Sequence, residues 1–348
     1  MKPRKPLLKW SVCGVSRCTW KHRMRIETHV RQQAKLDLSG SVAPFELKLP
    51  DMPASVWASP DLLRSRFHLE AARFFECESV LAVTGIESGI SALARLFQTW
   101  YGSMRVVLAE PSFDQWDKRF RRANHVVLDW PVDLVLEGDI PECDVVVLGR
   151  PVNPTCQMIS IQQIKPLARK LREQGGWLIL DEAYLDWTGE ESYASFIEAE
   201  PAIVLRSVAP FSGLAGANLA FVCGPKAVCT ALLNEVGTQA VSSPQWWLAL
   251  QYFAAEDWRA QQLIRLDAVC TRLESVWRVR LGEHIQIHKG GYFISFAHPN
   301  NEQWAADLEH VGILVRAYPT EDSILRCGAP KSEADWTRLE NAVKSLSD

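Results

Sequence analysis

The chain has 348 residues, 47% of them apolar and 23% charged, with 38 Lys plus Arg against 41 Asp plus Glu. This length suits two domains, or one large α/β domain with a smaller companion, and the composition excludes wholesale disorder. No run approaches the roughly 18–20 apolar residues of a membrane span, and a net charge of −3 with a pI near 6.3 argues against nucleic acid as the main ligand.

The charge is unevenly placed. Residues 1–30 carry eight basic side chains and one acid, so they hold +7 and the rest of the chain −10. Residues 1–26 read as a basic, disordered extension without the apolar core of a secretory signal. Met24 is an alternative start. Cys13, Cys18 and His22 have metal-like spacing but no fourth ligand, so no metal is expected. Nine cysteines, an odd number at no framework spacing, read as reduced thiols of a cytoplasmic protein.

Downstream, short apolar runs alternate with helical patterns. Ser79–Val83 reads as a strand that ends at Thr84-Gly85, and Ile86–Gln98 follows with helical period. Arg105–Leu108, Val145–Leu148, Trp177–Leu180, Ile203–Leu205 and Leu219–Val222 are further strands, continuous in apolar character as in a sheet covered on both faces. Ile161–Gln174 is helical and stops at Gly175-Gly176. The C-terminal third has one or two long helices over Trp246–Val279. Short strands follow at Ile285–Phe296, Ile313–Val315 and Ile324–Arg326, with helices at Asn301–Val311 and Glu333–Leu346. The expected fold class is α/β: a large domain with a mostly parallel central sheet and a smaller α+β C-terminal domain. The expected limits are 27–50 for an N-terminal segment packing on the small domain, 51–235 for the large domain and 236–348 for the small one.

Ligands of open α/β sheets bind at the carboxyl ends of the strands. There, Gly85 opens a helix whose first amides, at Ile86 and Glu87, make a phosphate seat. Phe113, in Glu110-Pro-Ser-Phe113, is either a ring to stack on a ligand or core packing. Asn153, before Pro154-Thr155, offers an amide or merely forms a turn. Asp181 ends a buried strand and needs a positive partner, either a protonated ring nitrogen or the Arg of a structural ion pair. Tyr184 and Ser207 add hydroxyls.

The order Gly85…Pro-Ser-Phe113…Asn153-Pro-Thr…Asp181-Glu-Ala-Tyr184…Arg206-Ser207 resembles the fold-type-I pyridoxal-phosphate enzymes of the aminotransferase class I/II family. Within it the chain is most similar to histidinol-phosphate aminotransferases and to the threonine-phosphate decarboxylases of cobalamin biosynthesis. The stretches concerned are LDLSGSVAP (36–44), ASVWASPD (54–61), GGWLILDEAYLDW (175–187), VLRSVAPFSGLAGANLAFV (204–222), GILVRAYP (312–319) and LRCGAPKSEADWTRLENAV (325–343), which together span about 27–346. The resemblance implies an aspartate-aminotransferase-like fold and a homodimer. Asp181 would pair with the pyridine nitrogen, Tyr184 and Asn153 would bond the ring oxygen, and Phe113 would stack on the ring. Gly85, Ile86, Glu87, Ser207 and Asn218 would hold the phosphate. Arg326 would grip the carboxylate of an amino-acid or phospho-amino-acid ligand; its bland alternative is an ion pair within the small domain.

The pattern breaks where the chemistry resides. The family's Ser-x-x-Lys-Phe is here Ser207-Val-Ala-Pro210-Phe211, and a proline can form no Schiff base. Its Gly-x-Arg-x-Gly is Gly216-Ala-Asn218-Leu-Ala220, its Asn-Pro-Thr-Gly ends in Cys156, and its His-Gly-Gly is His29-Val30-Arg31. Losing one charge-assisted bond to a phosphate costs about 1.5–3 kcal/mol, roughly tenfold to a hundredfold in affinity. The expectation is a degenerate member that holds pyridoxal phosphate weakly and non-covalently, without ordinary transaminase or decarboxylase activity. The alternative is an active enzyme with a lysine-free site. Lys226 and Lys289 are the substitute lysines weighed against both, with a solvated surface lysine as their default.

Overall fold

The structure, a computed structural model, describes residues 35–58, 60–199, 202–318 and 323–347. The basic extension, the Cys13/Cys18/His22 group and His29-Val30-Arg31 lie outside the described residues. Thirteen strands are present among the described residues: β1 (Leu36–Asp37), β2 (Val80–Val83), β3 (Arg105–Glu110), β4 (Val126–Pro131), β5 (Val145–Gly149), β6 (Trp177–Glu182), β7 (Ala202–Ser207), β8 (Ala220–Cys223), β9 (Ile287–Lys289), β10 (Phe293–Ala297), β11 (Ile313–Leu314), β12 (Arg316–Tyr318) and β13 (Ile324–Gly328).

Seven of them form the central sheet, in the order β2-β8-β7-β6-β5-β3-β4. Only β8 runs against the others. Side chains alternate between two apolar layers, as a period of two requires. In β5, Val145 and Val147 pack with the helices Ile86–Tyr101 and Lys226–Val236. Val146 and Leu148 pack on the opposite face, with the helices Pro60–Phe74, Ile161–Glu173 and Ser243–Ala254. That two-sided burial is why the strands read as unbroken apolar runs.

Local signals fix the helix ends. Ser160 and Gln163 form a reciprocal cap at the start of Ile161–Glu173. Gly85 enters Ile86–Tyr101 at φ 80°, and a Cβ there would lie on Asn218 Oδ1.

The C-terminal part holds a four-stranded antiparallel sheet, β12-β13-β10-β9. It packs against the helices Asn301–His310, Glu333–Lys344 and the second half of Glu256–Leu281. Gly290-Gly291 divides the single strand expected over Ile285–Phe296 into β9 and β10, because Gly291 sits at φ 75° against Trp187. The strand β4 and the helices Pro60–Phe74, Gln115–Arg122 and Lys226–Val236 were not expected from the sequence.

Residues 36–348 form one compact unit, and its first segment joins both sheets. β1 pairs with β11, and the Leu38 carbonyl accepts from Gly328 N–H at 2.7 Å. Further on, Ala43 N–H donates to the Pro210 carbonyl and Leu47 N–H to that of Ser212, both at 2.8 Å. No helix of the described residues is long and apolar enough to cross a membrane.

Candidate functional site

The strand ends of β3, β5, β6 and β7 converge on a cavity of about 150 Å³. Ile86, Phe113, Asn153, Asp181, Tyr184, Ser207 and Pro210 all line it. The structure therefore brings together residues separated by more than 120 positions. Gly85, Glu87, Asn218 and Arg326 lie around it rather than in its wall.

The seat at Gly85 is built by backbone. The first amides of Ile86–Tyr101 have no intrahelical partner, and the helix dipole makes them favourable to an anion. The Glu87 side chain is turned to Arg119, at 2.7 Å, so only its amide serves the seat. Asn218 leaves a short 3₁₀ turn at φ 43°, a left-handed conformation that Asn tolerates, and its side chain lies against Gly85. Ser207 Oγ is buried and donates to the Leu219 carbonyl at 3.4 Å.

Asp181 continues β6 to the cavity. Its partners are the indole N–H of Trp116, at 2.9 Å, and the Ala183 amide, at 3.2 Å. The arginines go to its neighbour instead. Glu182 is fully buried and takes Arg150 at 2.8 Å and Arg206 at 3.5 Å, and Arg206 also pairs with Asp186. Of the two expected partners for Asp181, the structural ion pair thus belongs to Glu182. Burial pushes the Asp181 carboxyl above the ordinary aspartate range, the adjacent Glu182 adds to this, and the Trp116 and Ala183 bonds oppose it. Phe113 is 40% exposed, which places it at the lip and not in the core.

On the other side, Arg326 of β13 is 5% exposed. It donates to Asn153 Oδ1 at 2.9 Å and to the Ser39 carbonyl at 2.8 Å, its Nε has no partner, and it makes no ion pair among the described residues. The ion pair within the small domain is therefore not its role here. Its guanidinium lies 5.0 Å from the Phe293 ring and 5.7 Å from that of Tyr318.

Among the site's residues, two carried no expectation. Trp116 is 1% exposed and holds Asp181. Arg316 of β12 stands opposite Arg326 in the register and lies 5.2 Å from the same Tyr318 ring. Arg316 lies in the GILVRAYP stretch, but only strand pairing puts it beside Arg326. Neither weighed lysine reaches the cavity. Lys289 Nζ is taken by Glu274 and Thr271, each at 3.2 Å, and Lys226 is exposed on the helix after β8.

The model of the family Aminotransferase class I and II matches residues 63–345. The chain belongs to that family. It is 32% identical over 317 residues to a threonine-phosphate decarboxylase of Pseudomonas aeruginosa, covering 90% of this chain and 92% of the relative. A histidinol-phosphate aminotransferase of Chlorobaculum tepidum is 26% identical, with 90% and 95% covered. In fold, the chain resembles the histidinol-phosphate aminotransferase of Sinorhizobium meliloti, solved in complex with pyridoxal 5′-phosphate, with a TM-score of 0.76 at 16% identity over 97% of this chain and all of that one. It also resembles the L-threonine-O-3-phosphate decarboxylase of Porphyromonas gingivalis, with a TM-score of 0.71 at 15% identity over 89% of this chain and 98% of that one. The fold is that of the aspartate aminotransferase-like pyridoxal-phosphate enzymes.

The residues of this class member fit one half of that cofactor. A carboxylate in an apolar cavity, without a cation, suits a protonated ring nitrogen. Asn153 and Tyr184 line the same wall. The covalent half does not fit, because among the described residues the cavity wall has Pro210 and no lysine.

Proposed function

We propose that the chain is a ligand-binding member of its family, one that holds pyridoxal phosphate non-covalently and lacks ordinary transaminase and decarboxylase activity. The observation that carries this reading is the cavity wall, which Asp181, Asn153 and Tyr184 share with Pro210. Asp181 would orient the ring and keep its nitrogen protonated, and the amides after Gly85, with Ser207 and Asn218, would receive the phosphate. When bound, the ring supplies an electron sink at a substrate's α-carbon. No side chain of the wall has an amine to hold it covalently or to carry a proton at that carbon.

A second ligand fits the arginines. Like charges directly opposite each other on neighbouring strands are unfavourable. Arg316 and Arg326 stand so, and Arg326 has no carboxylate partner among the described residues. A phospho-amino-acid, with one carboxylate and one phosphate, offsets both charges; the relative from Pseudomonas is named for such a compound. We place the chain as a homodimer, the usual form of this class, in the cytoplasm, where the seven free cysteines of the described residues would stay reduced.

The test is titration of the full chain with pyridoxal 5′-phosphate, followed by visible absorbance after gel filtration. Wild type should show no band of lysine-bound cofactor, and Pro210→Lys with Asn218→Arg should gain one. Pro210 sits in the first turn of the helix Ala209–Ser212, and its only backbone bond to the N-terminal segment is through its carbonyl, which lysine keeps. An equal, strong band in both proteins would sink the reading, as would decarboxylation of threonine phosphate by wild type at rates usual for the class. The retained Asp181 and the unpaired Arg326 favour a second reading, an active enzyme of altered chemistry; loss of all cofactor absorbance on gel filtration would count against it.

A further inference from the structure

We propose that the cavity over Pro210 does not discriminate at the 4′ position of its ligand, and takes the phosphorylated pyridine as the 4′-alcohol or 4′-amine as readily as the 4′-aldehyde. This rests on the reading of the cavity as a site for that ring, and it goes further by naming the ligand class. A site tells the aldehyde from its relatives when a nucleophile can add to it. Of the groups that could, none is placed to do so.

Among the described residues lysine is absent from the wall, and Lys289 is committed to Glu274 and Thr271. Cys156 follows Asn153 by three positions, and it is not in the wall. It lies 3.8 Å from Ser295 Oγ, with burial holding its thiol up at about 12, so it stays protonated. The Ser207 hydroxyl is turned to the Leu219 carbonyl. What remains to bind the ring is common to all three forms: Asp181 for the nitrogen, the apolar wall for the ring faces, and the amides after Gly85 for the phosphate. Where a lysine would meet the 4′ carbon the wall has the pyrrolidine ring of Pro210, which makes no covalent bond.

The experiment measures the affinities of the full wild-type chain for pyridoxal, pyridoxine and pyridoxamine 5′-phosphates by calorimetry, with sodium borohydride treatment and mass spectrometry as a covalent check. The three dissociation constants should agree within tenfold, and no ligand should become fixed to the protein. In Pro210→Lys the new amine would condense with the aldehyde, forming a C=N bond and releasing water. Borohydride would then reduce that bond, and the aldehyde alone should gain more than tenfold. If wild type prefers the aldehyde by more than tenfold, or if borohydride fixes it to a wild-type lysine, the inference is overturned while the reading of a ring site stands. If none of the three binds, that reading fails and the inference with it. Should the variant not fold, the wild-type comparison decides alone.

Discussion

A carboxylate in an apolar cavity is costly unless a positive group meets it. Among the described residues Asp181 has two N–H donors and no cation, and its carboxyl is pushed upward by burial. The folded chain therefore binds its proton more tightly than the unfolded chain does, so stability falls as pH rises from the ordinary aspartate range through the raised value. Asp181→Asn should raise the thermal midpoint of the ligand-free chain near neutrality, and the gain should vanish as pH falls to the ordinary aspartate range. The same variant should lose affinity for the pyridine ligand, because the ring nitrogen loses its counter-charge. Thermal melts across pH and calorimetry check the two halves. For wild type, binding of a protonated ring should strengthen as Asp181 ionises with rising pH. At this scale the grouping of Ile86, Phe113, Asn153, Asp181, Tyr184 and Ser207 was legible, because each lies at or just after the end of a buried strand. Trp116 was not legible as a partner of Asp181, since the bond spans 65 positions and depends on how one helix lies against β6.

Beneath the cavity, the ends of β6 and β7 are tied by charge. Glu182 accepts from Arg150, Ser192 and the Tyr193 amide, and its partner Arg206 reaches Asp186, which in turn accepts from Tyr252 at 2.6 Å. Removing one member of a buried pair leaves the other uncompensated, at a cost of about 3–5 kcal/mol. Glu182→Gln should therefore destabilise the chain by about that much in urea unfolding. A change under 1 kcal/mol would show that the network contributes little. The strand elements were legible where both faces are buried, as in β5 and β7. β4 was missed because it lies at the sheet edge and only one of its residues, Val127, is buried, so no apolar run marks it. The helix Gln115–Arg122 was missed for a related reason: it holds four basic residues and buries only Trp116 and Phe120.

For the molecule as a whole, the N-terminal segment is the part that relates the two sheets to the site. Leu38 and Ser39 bond to Gly328 and Arg326, and Ala43 and Leu47 bond to the turn that carries Pro210. A ligand held by the native cavity and not by the unfolded chain stabilises the fold by about 2.7 kcal/mol at a concentration of a hundred dissociation constants. For a chain of this size that is a rise of several degrees in the thermal midpoint. Pyridoxamine 5′-phosphate should give that rise in wild type and a much smaller one in Asp181→Asn. A rise of equal size in both would place the ligand elsewhere.

The sequence by itself determined the class of fold and the family, because these depend on residue types in order along the chain. It also marked residues that the structure brings to one cavity, since Ile86, Phe113, Asn153, Asp181, Tyr184 and Ser207 each lie at or just after the end of a buried strand. Only the tertiary structure decided which carboxylate is paired. Asp181 and Glu182 are adjacent in sequence, but successive residues of a strand point to opposite faces. Glu182 meets Arg150, just after β5, and Arg206 of β7, while Asp181 lines the cavity. The tertiary structure likewise set Arg316 beside Arg326, through strand register, which residue order does not specify.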